Sequence, residues 1–248
     1  MIVILDPAAR ARLVAAYDHG VTRPEGCTGY RWDIVLTGSH ETWTRAGRRR
    51  GTGMTGTPDL TPTPGQTVGP FFGTALPYAG RADLVGPHHP RAIRLHGTAF
   101  DGDGAAVPDA LLEIRQPDEN DSVATESGSL RRDGWTFTGI GRAQVDGAGR
   151  YTFTTVGPGA TEPGKAPFIA VTVFARGLMN RLFTRCYLSE DTAALAADPL
   201  LASLPEDRRA TLVALREADG GLRFDVRLQG DAETVFLAYP RHPGHPRD

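Results

Sequence analysis

Several features that mark other protein classes are missing from this 248-residue sequence. It has only two cysteines, Cys27 and Cys186, which are too few for a disulfide framework and too isolated for a zinc site, so we expect reduced thiols. No apolar stretch approaches the roughly 20 residues that a membrane-spanning helix needs. A net charge of −2 gives no electrostatic footprint for nucleic acid or an anionic membrane. We therefore expect a soluble cytoplasmic protein.

The sequence also lacks the short motifs of common catalytic sites. It has no GxSxG nucleophile motif, no Walker loop, no HExxH zinc motif and no CxxC pair. Seven histidines are present, but none of them forms the strand-borne pair that a mononuclear iron site needs. His88 and His89 lie in a proline-rich stretch that is more typical of a solvated loop than of a metal site. Taken alone, the residues therefore indicate no catalytic constellation.

Turn-forming residues are abundant, with 30 glycines and 19 prolines. Between the turns, apolar and polar residues alternate as in half-buried strands. Strands are predicted over 92–100, 111–116, 150–156, 168–175, 181–188, 222–229 and 233–239. Helices are minor and are predicted over 190–200 and 205–218, where the first turns are acidic. The pattern favours a mostly β protein, a β-sandwich with a few short helices.

Composition divides the chain into four parts. Residues 45–66 are rich in glycine, threonine and proline and show no hydrophobic period, which is typical of a linker. Residues 67–240 contain the predicted strands and form the expected sandwich domain, and everything after Met54 looks self-sufficient. Residues 1–44 are predicted to be a separate N-terminal segment, and residues 241–248 a C-terminal tail.

The N-terminal segment repeats a pattern found near the other end of the chain. GYRWDIVLTG at 29–38 resembles GLRFDVRLQG at 221–230, and over 29–44 against 221–236 seven of sixteen positions are identical. Upstream, RARLVAAY and RATLVALR agree at five of eight positions. Each copy is predicted to be a short helix, a turn and a strand. Chance similarity between two amphipathic units is the alternative, because nothing in register lies between the copies.

Five segments carry a resemblance to a known family. They are TPTPGQTVGPFF (61–72), LHGTAFDGDGAAVPDALLEIRQPD (95–118), GIGRAQVDGAGRYTFTTVGPG (139–159), APFIAVTVFARG (166–177) and RFDVRLQGDAETVFL (223–237). Together they resemble the intradiol ring-cleavage dioxygenases, in particular the α subunit of the two-subunit members that act on protocatechuate. The resemblance covers residues 54–240, and GQTxGPF followed by DGxGxxVPDAxLEI is specific to that family rather than to sandwiches in general.

The resemblance implies an Fe(III) cofactor held by a partner β subunit through two tyrosinates and two histidines. Phenolates stabilise ferric iron, which binds the catechol as a dianion and makes its ring reactive toward O₂. At the matching positions this sequence has Ala160 near a ligand tyrosine, Phe168 and Ala170 in place of the histidines, and Lys165 in place of an arginine. Because Phe and Ala cannot ligate iron, the chain resembles the α subunit, and no metal ligand is expected in it.

The resemblance also implies a working site at the α/β interface, where protocatechuate and O₂ give 3-carboxy-cis,cis-muconate in aromatic catabolism. The family's α chain contributes substrate-binding residues that carry over to Thr67, Gly69, Pro70, Phe71 and Arg176. The guanidinium of Arg176 can oppose the substrate carboxylate or a developing product charge. The family position of Phe71 is often tyrosine, so a hydroxyl is missing there. Without the family, these residues indicate only a turn and a surface loop.

Two further interpretations concern the origin of residues 1–44 and the alternative functions of the chain. Residues 1–44 resemble the C-terminal end of a β subunit, either as the remnant of a fused polypeptide or through an upstream start in an overlapping frame. The alternative function is a non-catalytic β-sandwich binding module, which the missing ligands and the generic strand pattern support. A self-sufficient iron enzyme would need ligands from unmatched positions such as Tyr151 and Tyr187. The resemblance favours an α subunit that is inactive alone.

Overall fold

The computed structural model describes residues 3–4, 69, 72–76, 78–124, 136–178, 180–188 and 190–238. The linker, the C-terminal tail and all but two residues of the N-terminal segment, with Cys27, lie outside the described residues. The described strands are β1 Val3–Ile4, β2 Ile93–Phe100, β3 Leu111–Arg115, β4 Ile140–Gln144, β5 Arg150–Thr155, β6 Phe168–Phe174, β7 Leu182–Leu188, β8 Val213–Arg216, β9 Leu222–Arg223, β10 Val226–Arg227 and β11 Leu237–Ala238. The described helices are α1 Phe72–Ala75, α2 Thr192–Ala197, α3 Pro199–Ala202 and α4 Glu206–Ala210. None of these helices is long and apolar enough to cross a membrane.

The longer strand predictions are confirmed. β2, β3, β5, β6 and β7 each match a predicted strand to within one residue at either end. The strand predicted over 222–229 is instead split into β9 and β10, because the Asp225 carboxylate between them accepts a hydrogen bond from the Thr98 N–H at 3.0 Å in place of a backbone carbonyl. The strand predicted over 233–239 is reduced to β11. β1, β4 and β8 are not among the predicted strands.

The helix predicted over 205–218 is wrong beyond Ala210, where α4 ends. The following residues form β8, which pairs in parallel with β7 and antiparallel with β9. Backbone ladders on both sides outweigh the helical propensity of this stretch. The helix predicted over 190–200 is divided into α2 and α3, because Pro199 cannot continue a helix and suits the first position of a new one.

The strands form two layers. Sheet A has the antiparallel order β4–β3–β6–β7, and β7 also pairs with β8 and β11. Sheet B has the order β5–β2–β9–β8, and β10 pairs with β2. Since β8 belongs to both sheets, it closes one side of the sandwich. β1 adds two residues to the edge of β11, with Val3 opposite Ala238.

One large hydrophobic core lies between the two sheets. Sheet A contributes residues such as Ile114, Val171 and Cys186, and sheet B contributes Leu95 and Phe153, all at most 2% exposed. Burial raises the pKa of the Cys186 thiol, so this cysteine stays protonated and acts as a small apolar side chain. The predicted β-sandwich with few short helices is confirmed.

The outer face of sheet A carries a second, smaller hydrophobic cluster. This cluster packs β7 against the short helices and includes Tyr187, Leu201, Leu204, Leu212 and Leu237. Along β6, buried core residues alternate with half-buried residues on the outer face, which are Phe168, Ala170, Thr172 and Phe174. The two positions that match the family's histidine ligands therefore lie on the outer face of sheet A, not in the core.

Candidate functional site

The structure describes two of the five predicted substrate-binding residues, Gly69 and Arg176. Thr67, Pro70 and Phe71 lie outside the described residues. Gly69 immediately precedes the α1 segment, and Arg176 follows β6. The described part of the candidate site therefore consists of Gly69, Arg176 and their neighbours on sheet A.

Arg176 lies in a tight turn at the end of β6. The Leu178 N–H donates to the carbonyl oxygen of Ala175 at 3.3 Å, and Gly177 has a φ of 86°, the positive value that the third residue of a type II turn needs. Ala175 and Leu178 are 0% and 3% exposed, so both ends of the turn are fixed in the core. The backbone of Arg176 is thus held in place while its side chain is 53% exposed.

Arg176 forms an ion pair with Asp109. Its Nε donates to Oδ2 of Asp109, whose side chain is 25% exposed. β3 and β6 set Leu111 opposite Phe174 in antiparallel register. Two further positions along each chain place Asp109 opposite Arg176, so the ion pair continues the ladder beyond the strand ends. The register of sheet A therefore determines the partner of the candidate substrate-binding arginine.

The segment that begins at Gly69 is attached to sheet A. The carbonyl oxygen of Gly69 accepts from the Phe72 N–H at 3.2 Å, which leads the chain into α1. Arg142 of β4 donates from Nη1 to the carbonyl oxygen of Leu76 at 3.1 Å and from Nε to the Glu113 carboxylate at 2.7 Å. The end of the α1 segment is therefore anchored to β4 and β3 by one arginine.

This anchor and Arg176 lie along the same sheet. Glu113, which holds the anchoring arginine, is opposite Thr172 in β6, and Arg176 follows Thr172 by four residues. Strand alternation assigns positions 172 and 174 of β6 to the outer side of sheet A, and Arg176 follows in the turn just beyond them. The two described site elements therefore lie along the same pair of strands, one on the outer face and the other at the end of β6.

The positions that match the family's histidine ligands are occupied by a different arrangement. Ala170 lies opposite Arg185 of β7. The guanidinium carbon of Arg185 is 3.9 Å from the ring centroid of Phe168, and Arg185 is only 8% exposed. This distance is that of a cation–π contact, which is stronger when the cation is desolvated. A buried cation therefore lies beside the positions where the ligands are missing.

Arg185 is linked to a buried carboxylate through a tyrosine. Its Nη1 donates to the Tyr187 hydroxyl at 3.2 Å, and this hydroxyl donates to Oδ1 of Asp198 at 3.3 Å. Asp198 is 1% exposed. It also accepts hydrogen bonds from the backbone N–H groups of Leu200, Leu201 and Ala166, at 2.9, 3.2 and 3.2 Å. The carboxylate thus caps α3 and balances the charge of the buried arginine.

These side chains do not fit a ferric ion. Phe168 and Ala170 have no donor atom, and the Arg185 guanidinium would repel a second cation in the same buried space. Burial raises the pKa of the Tyr187 phenol to about 12, and its hydroxyl is already engaged by Arg185 and Asp198. Tyr151 belongs to the core between the sheets, whereas Tyr187 belongs to the smaller cluster on the outer face of sheet A. In the described part of the chain, no group of three or more His, Cys, Asp or Glu side chains is placed to hold a metal.

Sequence reasoning missed four residues that shape this face, namely Asp109, Arg142, Arg185 and Asp198. Asp109 had a signal, because it lies within the family-specific segment DGDGAAVPDALLEI. The roles of the other three depend on strand pairing or on a contact between a helix and a strand. No local pattern in the sequence reports such contacts.

Three curated proteins that are similar to this chain share one enzyme name. A protocatechuate 3,4-dioxygenase alpha chain from Burkholderia cepacia is 42% identical over 194 residues, covering 72% of this chain and 98% of that protein. An alpha chain of the same name from Pseudomonas putida is 36% identical over 204 residues, covering 73% and 98%. A protocatechuate 3,4-dioxygenase beta chain from Burkholderia cepacia is 34% identical over 165 residues, covering 57% and 66%.

Among solved structures, the dioxygenase domain of a carbohydrate-binding fusion protein from Streptomyces sp. SirexAA-E is 24% identical, with a TM-score of 0.41 over 68% of this chain and 99% of that one. Catechol 1,2-dioxygenase from Acinetobacter sp. ADP1 is 20% identical, with a TM-score of 0.43 over 65% and 62%. No model of a protein family matches the chain.

Replacement of Asp198 by alanine should destabilise the protein by about 3–4 kcal/mol, because it removes a helix cap and leaves several buried donors unpaired. Asp191→Ala is the matched control, since Asp191 caps α2 at an exposed site through one hydrogen bond from Ala194 at 2.8 Å. That change should cost about 1 kcal/mol. Urea unfolding of both variants measures the difference, and equal losses would show that Asp198 acts only as a cap.

Proposed function

The chain belongs to the protocatechuate 3,4-dioxygenase α chain family, and from this premise we propose that it pairs with a β chain to complete the site where protocatechuate and O₂ give 3-carboxy-cis,cis-muconate. The observation that carries the proposal is the half-exposed side chain of Arg176, held by a turn with buried ends where β6 leaves sheet A, the sheet that also anchors α1. A substrate carboxylate that reaches this turn meets a cation whose base is fixed. The chain acts as one half of an intradiol oxidoreductase.

Arg176 orients the substrate in this proposal. Its guanidinium donates charge-assisted hydrogen bonds to the carboxylate of protocatechuate, so the ring hydroxyls point away from this chain and toward the partner. Because the turn already fixes the backbone, little further order is lost on binding. Correct orientation of a bound ring can supply a large part of the rate acceleration of a bimolecular step.

The metal is assigned to the partner β chain. The residues of this chain at the family's ligand positions do not fit Fe(III), and relatives named as alpha and beta chains support an α/β assembly. When bound in the partner, ferric iron makes the catechol ring reactive toward O₂. The residues of this chain bind the substrate, orient it and exclude water.

The N-terminal segment forms the second part of the proposed binding wall. Gly69 is exposed and leads into α1, which supports a contact with substrate at this point. Thr67, Pro70 and Phe71 are proposed to act with it, Phe71 through an apolar contact with the ring. No feature of the described residues favours a non-catalytic binding module. A cytoplasmic location is proposed, because reduced thiols suit that compartment and the described cysteine, Cys186, is free.

Residues 1–44 are proposed to be an appendage of the working domain at 67–240. The contact described between the two is short, because β1 contributes only Val3 and Ile4 to the edge of β11. A ladder of two residues at a sheet edge adds little to a sandwich whose main core lies between two full sheets. The resemblance of residues 1–44 to a β chain terminus supports the same division.

Deleting residues 1–53 should therefore leave the sandwich folded and able to pair with a β chain. Loss of β1 removes backbone hydrogen bonds worth about 1–2 kcal/mol, which corresponds to a fall in Tm of only a few degrees. Thermal unfolding and co-purification with a β chain measure the two properties. Insoluble protein, or a fall in Tm of more than about 15 °C, would show that the segment is an integral part of the fold.

Purified alone, the chain should contain no iron and show no visible absorption band, because tyrosinate-to-ferric charge transfer needs ligands that its described residues do not supply. Co-expression with a β chain should give a coloured, iron-containing complex that consumes O₂ with protocatechuate. Metal analysis and absorption spectra of both preparations test this division. Stoichiometric iron in the isolated chain would contradict it.

Arg176→Ala in the reconstituted complex should lower kcat/KM for protocatechuate by roughly ten- to a hundred-fold, the equivalent of about 1–3 kcal/mol for a charge-assisted contact. Catechol lacks the carboxylate and should lose much less. Steady-state kinetics on both substrates give the ratio, and metal analysis should show unchanged iron because Arg176 is not a ligand.

The matched control is Arg91→Ala, since Arg91 is another exposed arginine with an ion pair, to Glu119, and it precedes β2 of sheet B. It should leave both substrates unaffected. Equal losses on the two substrates with Arg176→Ala would assign Arg176 to the subunit interface, and no loss on either would make it an ordinary surface residue.

A further inference from the structure

We propose that Asp109 is a positioning residue that directs the Arg176 guanidinium toward the substrate carboxylate. The inference rests on the proposed function of Arg176. It adds a second residue, which lies in the turn that precedes β3. Asp109 and Arg176 come from two separate family-like segments of the sequence, and the register of β3 against β6 brings them together. Among the described residues, Asp109 is the ion-pair partner of Arg176.

The geometry of the pair leaves the tip of the guanidinium available. The Asp109 carboxylate accepts from Nε, which is the donor nearest to the Arg176 backbone. A guanidinium has five N–H donors, four of them on the two terminal nitrogens. With Nε engaged by Asp109, the four terminal N–H groups make no contact that competes with it among the described residues, and the edge formed by the two terminal nitrogens suits the bidentate binding of a carboxylate.

Asp109 is the more firmly held member of the pair. It follows Val107 and Pro108 and precedes Ala110, and Val107 and Ala110 are 2% and 0% exposed. The carbonyl oxygen of Ala110 also accepts from the Val145 N–H at 3.0 Å, which ties this turn to β4. The side chain of Asp109 is less exposed than that of Arg176, at 25% against 53%. The carboxylate therefore lies nearer the protein and the guanidinium tip nearer the substrate.

Asp109 has two opposite effects on a bound carboxylate, and variants can separate them. Its charge repels the substrate's carboxylate, whereas its hydrogen bond restricts the rotamers of a long and flexible arginine. Asp109→Asn removes the charge and keeps an oxygen that can accept from Nε. Asp109→Ala removes both. If positioning is the larger effect, the alanine variant loses more selectivity than the asparagine variant.

The test is a double-mutant cycle in the iron-containing α/β complex. The substitutions are Asp109→Ala and Asp109→Asn, each in the native and the Arg176→Ala background. The readouts are the ratio of kcat/KM for protocatechuate to that for catechol, and the Kd of each substrate measured without O₂ by calorimetry. The control is Glu119→Ala, which removes the carboxylate of the Arg91–Glu119 pair.

Asp109→Ala should lower the selectivity ratio by roughly 3- to 10-fold, mainly through KM, and raise the Kd of protocatechuate by a similar factor. Asp109→Asn should lower the ratio by about 2- to 3-fold. Neither change should lower the ratio in the Arg176→Ala background, because a positioning residue acts only through the residue it positions, and loss of the repelling Asp109 charge can only raise the ratio there. The affinity for catechol and the iron content should not change, and Glu119→Ala should leave the ratio unaltered.

An unchanged or increased ratio in both Asp109 variants would overturn the inference, as would an equal loss with and without Arg176. If Arg176→Ala lowers the ratio and the Asp109 variants do not, only the positioning role fails. If Arg176→Ala itself leaves the ratio unchanged, the proposed function of Arg176 fails and the inference fails with it. Thermal unfolding checks that the variants are folded, and if the alanine variant is not, the same cycle with asparagine decides.

Discussion

The antiparallel register of β3, β6 and β7 is the constraint on which the proposed half-site depends. It brings Asp109 opposite Arg176 beyond the strand ends and sets Ala170 opposite Arg185 within the sheet. A shift of one residue would turn all of these side chains to the other face. The register cannot shift without cost, because residues such as Val171, at 2% exposure, would leave the core. The packing between the sheets therefore fixes the chemistry of the outer face.

The same face shows how a buried charge is stabilised on the outer side of sheet A. A lone guanidinium in a buried site costs several kcal/mol, so Arg185 needs compensation. It receives this from the Phe168 ring, from the Tyr187 hydroxyl and, through that hydroxyl, from Asp198. Asp198 in turn is held by the first turn of α3. The face thus holds a buried positive charge, and that charge is built into the packing of a helix on a strand.

The sequence predicted the five longer strands, in which apolar and β-branched runs are bounded by turn residues, and it missed β4, where packing hides the pattern. In β4, the inward position is Gly141, because a Cβ there would lie 3.0 Å from Cγ1 of Ile114 and 3.1 Å from Cδ1 of Phe153. The alternation is therefore invisible in the sequence. Arg176 was found through a family segment. Asp109 was not, because its partner lies 67 residues away and only the strand register connects them.

The positions that match metal ligands and the proposed substrate-binding arginine lie at opposite ends of β6. The positions that would hold a metal, Phe168 and Ala170, lie at its start, and Arg176 lies just beyond its end. Ala170 and Arg176 are six residues apart, which is roughly 20 Å in a strand. Between them, Val173 is fully buried and the backbone of β6 is paired with β3 on one side and β7 on the other. The arginine proposed to orient the substrate therefore lies at the opposite end of β6 from Phe168 and Ala170, where a buried arginine packs on an aromatic ring.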